Sequence, residues 1–211
     1  MGTAENTLNL GRRERRRQET EQRIFLAALK LFERQGFMNT TVEQITEAAD
    51  VGKGTFFNYF PSKEHVLLAV FAMVTQHFEQ LEREAATITD VRKHMMHFAQ
   101  NVRNQPGRTP LLLRNVFGAA MTNELVNEPF RILMKRARQA VAKVMARGQE
   151  LGQIRTDLSP ADLARTLQQS ILGTEMVWSI SAEPGEELND WVARMFDIFW
   201  EGALARKAKQ A

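Results

Sequence analysis

Between Thr40 and Lys63 the hydrophobic positions fall into two short bursts divided by a turn. Val42, Ile45 and Ala49 recur at helical spacing. Thr40 and Thr41 stand just before them, with Glu43 and Gln44 three residues after each in capping-box spacing, so a helix is predicted to start there. Asp50 and Gly52, both tolerant of turn conformations, stop it after about two turns. A second short helix is predicted from Lys53 to Tyr59, with Val51, Phe56 and Phe60 as inward anchors. Pro61 ends it, because the residue before a proline is pushed out of helical geometry, and Ser62 is suited to cap the next helix with Lys63 and Glu64 in its first turn. Two short helices, a tight turn and a restart make the outline of a helix-turn-helix.

Beyond Lys63 the pattern reads as helix throughout, with no strand alternation. Val66, Val70, Met73, Val74, His77, Phe78 and Leu81 form one stripe of a long helix from Ser62, and Val91, Met95, Phe98 and Val102 form the next at clean helical spacing. Asn104 to Arg108 reads as a loop. Thr109-Pro110, Asn127-Glu128-Pro129 and Ser159-Pro160 each set a capping residue beside a proline suited to a first turn, announcing three further helices, and Gly152 sits where a C-cap glycine belongs. The last helix, from about Glu186 to Ala205, holds eight large apolar residues within the thirteen positions Leu188 to Trp200. These wrap most of the way round it, so one side is expected to bury against a partner subunit. The fold class predicted is all-α: residues 1–17 a basic disordered arm, 18–78 a three-helix head with its helix-turn-helix over 41–60, and 79–211 a helical body for ligand binding and dimerisation.

The second short helix carries the candidate chemistry. Lys53, Thr55, Asn58 and Tyr59 are polar or half-polar, and Thr55 and Asn58 are sized for base edges. Gly52 and Gly54 bring bare backbone to the helix N-terminus, where free N–H groups and the dipole favour a phosphate. The plainer alternative is a surface helix whose polar face meets water.

The run TTVEQITEAADVGKGTFFNYFPSKEHVL, preceded by an amphipathic helix ending LFERQGF, closely resembles the N-terminal domain of the tetracycline-repressor (TetR) family of bacterial transcriptional regulators. The motif stands here as Thr40-Thr41, Ala49-Asp50-Val51, Gly52-Lys53-Gly54-Thr55, Phe56-Phe57 and Tyr59-Phe60-Pro61-Ser62-Lys63-Glu64. The resemblance covers about sixty residues, far more than a short motif of the kind that recurs by chance. It implies that Thr41, Lys53, Gly54, Thr55, Asn58 and Tyr59 face a DNA operator, and that Lys63 holds a phosphate. Asp50 departs from the usual Gly, Gly52 from the usual Ser and Phe57 from the common Tyr, whose hydroxyl contact is lost. Leu151 to Pro160 resembles, more weakly, the connector before the family's penultimate helix. The resemblance also implies a homodimer through the last two helices, a palindromic operator, and allosteric repression relieved by a ligand, with Ser62 to Leu81 as the mechanical link.

Upstream stand Arg12, Arg13, Arg15, Arg16 and Arg17, interrupted by Glu14. Such a run reads as a minor-groove or phosphate-tracking arm, or as a solvated tail. The net charge is only +3 over 211 residues, so DNA affinity must come from local clustering. The absence of cysteine excludes disulfides and thiolate catalysis and suits a reducing, cytoplasmic setting. The first ten residues lack a signal-peptide pattern, and the longest apolar stretch, Val66 to Val74, falls far short of the roughly twenty residues that span a bilayer.

Eight of the ten methionines follow Lys63, a composition suited to an adaptable apolar pocket or to plain core. Phe117, Met121 and Trp178 are candidate pocket residues, with Arg114 or Glu175 as polar orienters, for a small apolar or aromatic effector. His94 and His97 lie three apart, but with no nearby carboxylate pair they read as ordinary surface or core histidines, and neither metal nor cofactor is expected. No nucleophile elbow, HExxH or dinucleotide fingerprint occurs, and Gly52-Lys53-Gly54-Thr55 lacks the upstream glycine of a phosphate loop, so an enzyme is not expected. The competing class is a TetR-like helical protein acting through protein contacts without sequence-specific DNA binding.

Overall fold

The computed structural model describes residues 11–103, 109–183 and 185–204. Among them the secondary structure is helical apart from one bridge between Ile154 and Leu204. The chain divides into two units, the first ending at Leu67 and the second beginning at Leu68.

The first unit holds α1 (Arg12–Gln35), α2 (Val42–Ala48), α3 (Lys53–Tyr59) and the opening turn of α4 (Lys63–Glu84). In α1, Ile24, Ala28, Leu31 and Phe32 are spaced to share one face and are buried. They close over Phe37, Ile45, Ala49, Phe56 and Phe60, also buried. Phe32 meets Phe37 edge-on at 5.1 Å between ring centroids. Burying each such ring stabilises the unit by roughly 1.5–3 kcal/mol, which is what holds helices too short to stand alone.

The expected disordered arm differs from the structure. Helix α1 begins at Arg12, with Gly11 as its N-cap, so all five arginines lie on its first turns. Between Gly11 and Gly36 no glycine or proline interrupts the segment, and arginine is a good helix former. The first ten residues lie outside the described ones.

The second unit holds the rest of α4, a 3-10 turn at Ala85–Thr87, α5 (Val91–Arg103), α6 (Pro110–Thr122), α7 (Glu124–Glu150), α8 (Pro160–Ser181) and α9 (Leu188–Ala203). Helix α8 packs against α6, α7 and α9. The core runs through Leu81, Val91, Met95, Val144, Met145, Leu167, Trp178, Phe196 and Trp200. Thr109 and Ser159 cap α6 and α8, each followed by proline in the first turn. At the end of α7, Gly152 has φ 68. Its N–H donates to Gln149 O at 3.0 Å and that of Gln153 to Gly148 O at 2.9 Å, the paired bonds of a Schellman motif.

Asn127-Glu128-Pro129 does not start a helix. Asn123 caps α7 instead, its side chain accepting from Leu125 N, and Pro129 lies inside the helix. The proline there lies past the first turn and removes the donor that would have bonded Leu125 O. Asn127 Nδ2 meanwhile donates to Ala120 O at 2.6 Å, tying the new helix to the end of α6. The expected loop at Asn104 to Arg108 lies outside the described residues. Among the described residues no helix is long and apolar enough to cross a membrane.

Candidate nucleic-acid interface

Helix α2 starts in a full capping box. Thr41 Oγ1 accepts from Gln44 N at 3.2 Å, and Gln44 Oε1 accepts from Thr41 N at 3.0 Å. Gln44 Oε1 also accepts from Gln35 Nε2 at 2.8 Å, which fastens the start of α2 to the end of α1. The hydroxyl of the neighbouring Thr40 turns inward and donates to Gly36 O at 2.7 Å. The turn after α2 passes through Asp50 at φ 49, the left-handed region that an aspartate tolerates and glycine prefers. Gly52 then caps α3 with no side-chain bond. A Cβ added at Gly52 or Gly54 would meet nothing within 4 Å, so neither glycine is demanded by packing inside the chain.

Helix α3 is fixed from beneath by Phe56, which meets Phe57 at 5.4 Å and Phe60 at 5.9 Å. With Phe56 and Phe60 buried, the opposite face is set: Lys53, Gly54, Phe57 and Asn58 are exposed, and Thr55 and Tyr59 half-buried. Thr41 is exposed at the start of α2. Of the residues from α2 and α3 that the sequence nominated, Thr41, Lys53, Gly54 and Asn58 are exposed on this one small unit.

Two side chains on this surface were not nominated. Phe57 is 50% exposed, an apolar group of the kind that contacts a thymine methyl. Glu43 lies with its Oε1 2.5 Å from Lys53 Nζ, both side chains well exposed. The hydrogen bond from Lys53 is the main reason the Glu43 carboxyl is held below its ordinary range. No periodicity links Glu43 to Lys53; the turn between α2 and α3 brings them together.

Lys63 behaves differently from the expectation that it holds a phosphate. Its ammonium points to backbone carbonyls, Phe37 O at 2.9 Å, Thr40 O at 2.8 Å and Met38 O at 3.4 Å. It also sits 4.6 Å from the centroid of the Phe37 ring. An ammonium has three donors, and all three are directed at the segment joining α1 to α2. Ser62 donates to Glu64 Oε2 at 2.5 Å and lies 3.0 Å from His65 Nδ1, so its hydroxyl is engaged within its own turn.

Arg12, Arg13, Arg15, Arg16 and Arg17 are all exposed. On a helix they point to several sides of the axis, a charged collar and not an extended strand of guanidinium groups.

In the second unit the five nominated pocket residues differ in burial. Leu112, Leu113, Ala119 and Ala120 form the buried face of α6. Arg114 and Met121 lie on the other side, Met121 being 70% exposed, and Phe117 sits at the edge, half-buried. Trp178 and Glu175 on α8 are buried, the indole N–H of Trp178 donating to Glu186 O at 3.2 Å. Phe117 joins Phe130 at 6.4 Å, and Phe130 joins Phe71 at 5.6 Å, an aromatic row across α6, α7 and α4. A groove of about 690 Å³ lies elsewhere, along α8 and α9, lined by Leu163, Thr166, Trp191, Met195 and Ile198 among others. His94 Nε2 stands 3.6 Å from Glu84 Oε2. Among the described residues no three potential ligands gather as a metal site.

Comparison with known proteins agrees with this geometry. The model of bacterial regulatory proteins of the tetR family matches residues 24–70. The chain is 28% identical over 188 residues to the HTH-type transcriptional repressor DhaR of Mycobacterium sp. (strain GP1), covering 86% of this chain and 92% of that protein. It is 43% identical over 68 residues to the HTH-type transcriptional regulator TcmR of Streptomyces glaucescens, covering 32% of this chain and 30% of that one. Among solved structures, Thermus thermophilus FadR, a TetR-family transcriptional repressor in complex with lauroyl-CoA, is 28% identical with a TM-score of 0.60, covering 90% of this chain and 98% of that one. These similar proteins are transcriptional regulators. An outward-facing α3 behind a capped α2 lies within the segment, residues 24–70, that the tetR-family model matches, and the full-length likeness to such regulators supports a TetR-family transcriptional regulator.

Proposed function

We propose that this protein is a ligand-responsive repressor that binds a palindromic DNA operator as a homodimer, in the cytoplasm, and is released by a small apolar or aromatic effector. The observation that carries the reading is the outward face of α3: Lys53, Gly54, Asn58 and Phe57 exposed over a buried Phe56 and Phe60. Thr41, Thr55 and Tyr59 complete the surface that reads DNA. Recognition helices contact base edges through their N-terminal residues, which is where Lys53 and Gly54 stand. The arginines of α1 add sequence-independent phosphate contacts, since a helix about 10 Å wide does not enter a minor groove about 6 Å wide. Lys63 acts through the loop it clamps.

The dimer forms through α8 and α9. On these helices Val177, Ile180 and Ile198 are 53%, 65% and 75% exposed, beside the apolar groove, and one subunit leaves that surface uncovered. The effector binds within the body beside the aromatic row Phe71, Phe117 and Phe130, with Trp178 and Glu175 on the neighbouring α8. The lauroyl-CoA complex of the similar FadR supports an acyl chain as the first probe. Repression as the sense of control is supported by DhaR and FadR, both repressors.

The test is selection from a pool of random duplexes by the purified protein, followed by sequencing and a titration with lauroyl-CoA. Enrichment of an inverted repeat, and its loss in an Ile180→Asp/Ile198→Asp variant that sediments as a monomer, is the expected result. Binding without sequence enrichment would overturn the reading and favour a protein-contact module.

A further inference from the structure

The pair Glu43 and Lys53 puts an acidic group inside a surface that must meet a polyanion. Glu43 is on the first turn of α2 and Lys53 opens α3, so the two helix starts present their side chains to one spot, 2.5 Å apart. Both are more than half exposed, at 59% and 57%, so neither is required for the core. Thr41, one of the residues read as facing DNA, caps the same turn of α2. A carboxylate on this surface opposes every phosphate that approaches, and it occupies the ammonium that would otherwise bind one. On a base edge its chemistry is different: a carboxylate accepts a hydrogen bond from the cytosine N4 amino group, whereas guanine O6 and N7 and thymine O4 offer it nothing but acceptors, and the adenine N6 amino group stands beside the N7 acceptor, which repels it.

We infer that Glu43 is a specificity-determining residue, which holds Lys53 off non-specific DNA and releases it only where a cytosine N4 amino group takes its place as donor to the carboxylate. The inference rests on the reading of α3 as the DNA-recognition helix. On random sequence the pair stays closed, Lys53 contributes no phosphate contact, and the carboxylate cancels its charge, so binding is weakened. On the matched operator the cytosine engages Glu43 and frees Lys53 for a guanine edge or a phosphate. The low carboxyl pKa of Glu43 keeps it charged throughout the pH range in which DNA binding is measured. Glu43 therefore gains discrimination by making wrong sites worse, a repulsive element of the kind that specific interfaces use.

The experiment compares wild type, Glu43→Gln and Glu43→Gln/Lys53→Met on random duplex and on the selected operator, across a salt series. Thermal melts check that the fold is unchanged. Glu43→Gln is expected to tighten binding to random duplex and to lower the operator-over-random ratio by about tenfold, the low end of what one base contact contributes. Its log K against log salt slope on random duplex is expected to steepen by about 0.9, the increment for one added phosphate contact. Adding Lys53→Met is expected to remove that increment. Repeating the selection with Glu43→Gln is expected to relax one cytosine position in each half-site. An unchanged ratio, slope and logo for Glu43→Gln, with wild type still enriching an inverted repeat, overturns the inference and leaves the DNA reading intact. Absence of any enrichment by wild type overturns both.

Discussion

Lys63 provides the sharpest test of how the head is assembled. Replacing it with Met keeps most of the stem's packing and removes the ammonium. The loss includes two good bonds to carbonyls, at 2.9 Å and 2.8 Å, a weaker one at 3.4 Å, and the position over the Phe37 ring. Hydrogen bonds to a charged group are worth about 1.5–3 kcal/mol net, and an exposed cation over a ring about 0.5–1 kcal/mol. Lys63 is only half-buried, and the freed carbonyls regain some water, so the low end applies and the total is about 2–3 kcal/mol. For a unit of this size each kcal/mol moves the unfolding midpoint by about 4–8 °C, so Lys63→Met is expected to lower the head's midpoint by roughly 10 to 20 °C. The chain offers separate probes for its two units. Tyr59 is the single tyrosine and lies in the head, while Trp178, Trp191 and Trp200 all lie in the body. Fluorotyrosine incorporation with 19F NMR follows the first, and tryptophan fluorescence the second. Below the new midpoint the salt slope of DNA binding should match wild type. A head midpoint within 1 °C of wild type, together with a salt slope flatter by about 0.9, would refute the clamp and return Lys63 to the phosphate.

Three further outcomes follow from the same structure. Thr41→Ala removes one side of the capping box and should destabilise the head by about 1 kcal/mol, read by the fluorotyrosine signal, while Thr41→Ser should retain most of the stability; equal losses for both would sink the cap as the cause. A Cβ at Gly148 would lie 2.7 Å from Ile154 Cδ1 and 3.3 Å from Val91 Cγ2, so Gly148→Ala should cost about 1–3 kcal/mol of body stability by overpacking. In an Ile154→Ala background, which removes both Cδ1 and the Cγ1 at 2.8 Å, the same Gly148→Ala change should cost less in tryptophan-monitored urea unfolding, and an equal cost would count against overpacking as the cause. Glu43, Glu82 and Glu128 are held below the usual carboxylate range, chiefly by hydrogen bonds from Lys53, Lys143 and Arg131. A depressed folded-state pKa gives stability that is present above the ordinary value and lost as pH falls through the depressed one. The unfolding midpoint should therefore stay level from pH 7 to about 5 and decline below about 4; a midpoint that rises on acidification would contradict these pairings.

The residues at the ends of helices make much of the fold legible in the sequence itself. Thr41 with Gln44, Thr109 with Pro110, Ser159 with Pro160, and Gly152 act on backbone groups within a few residues of themselves, so their meaning is carried by local order along the chain. The same holds for the buried stripe of Ile24, Ala28, Leu31 and Phe32, and for the inward pair Phe56 and Phe60, which together fix the outward face of α3. Pro129 lies inside α7 because Asn123, four residues before Asn127, takes the cap and the helix runs through the proline at the loss of one backbone bond. The arginines lie on a helix because the segment they open is an unbroken run without glycine or proline. What tertiary structure alone decided were the meetings between distant residues. Lys63 turns back some two dozen positions to the carbonyls around Phe37, Glu43 reaches Lys53 across a turn, and on α6 Arg114 and Met121 are exposed while Phe117 is half-buried against Phe130. Periodicity tells which residues share a face of one helix, but which face is buried depends on what packs against it, and that is a property of the folded chain.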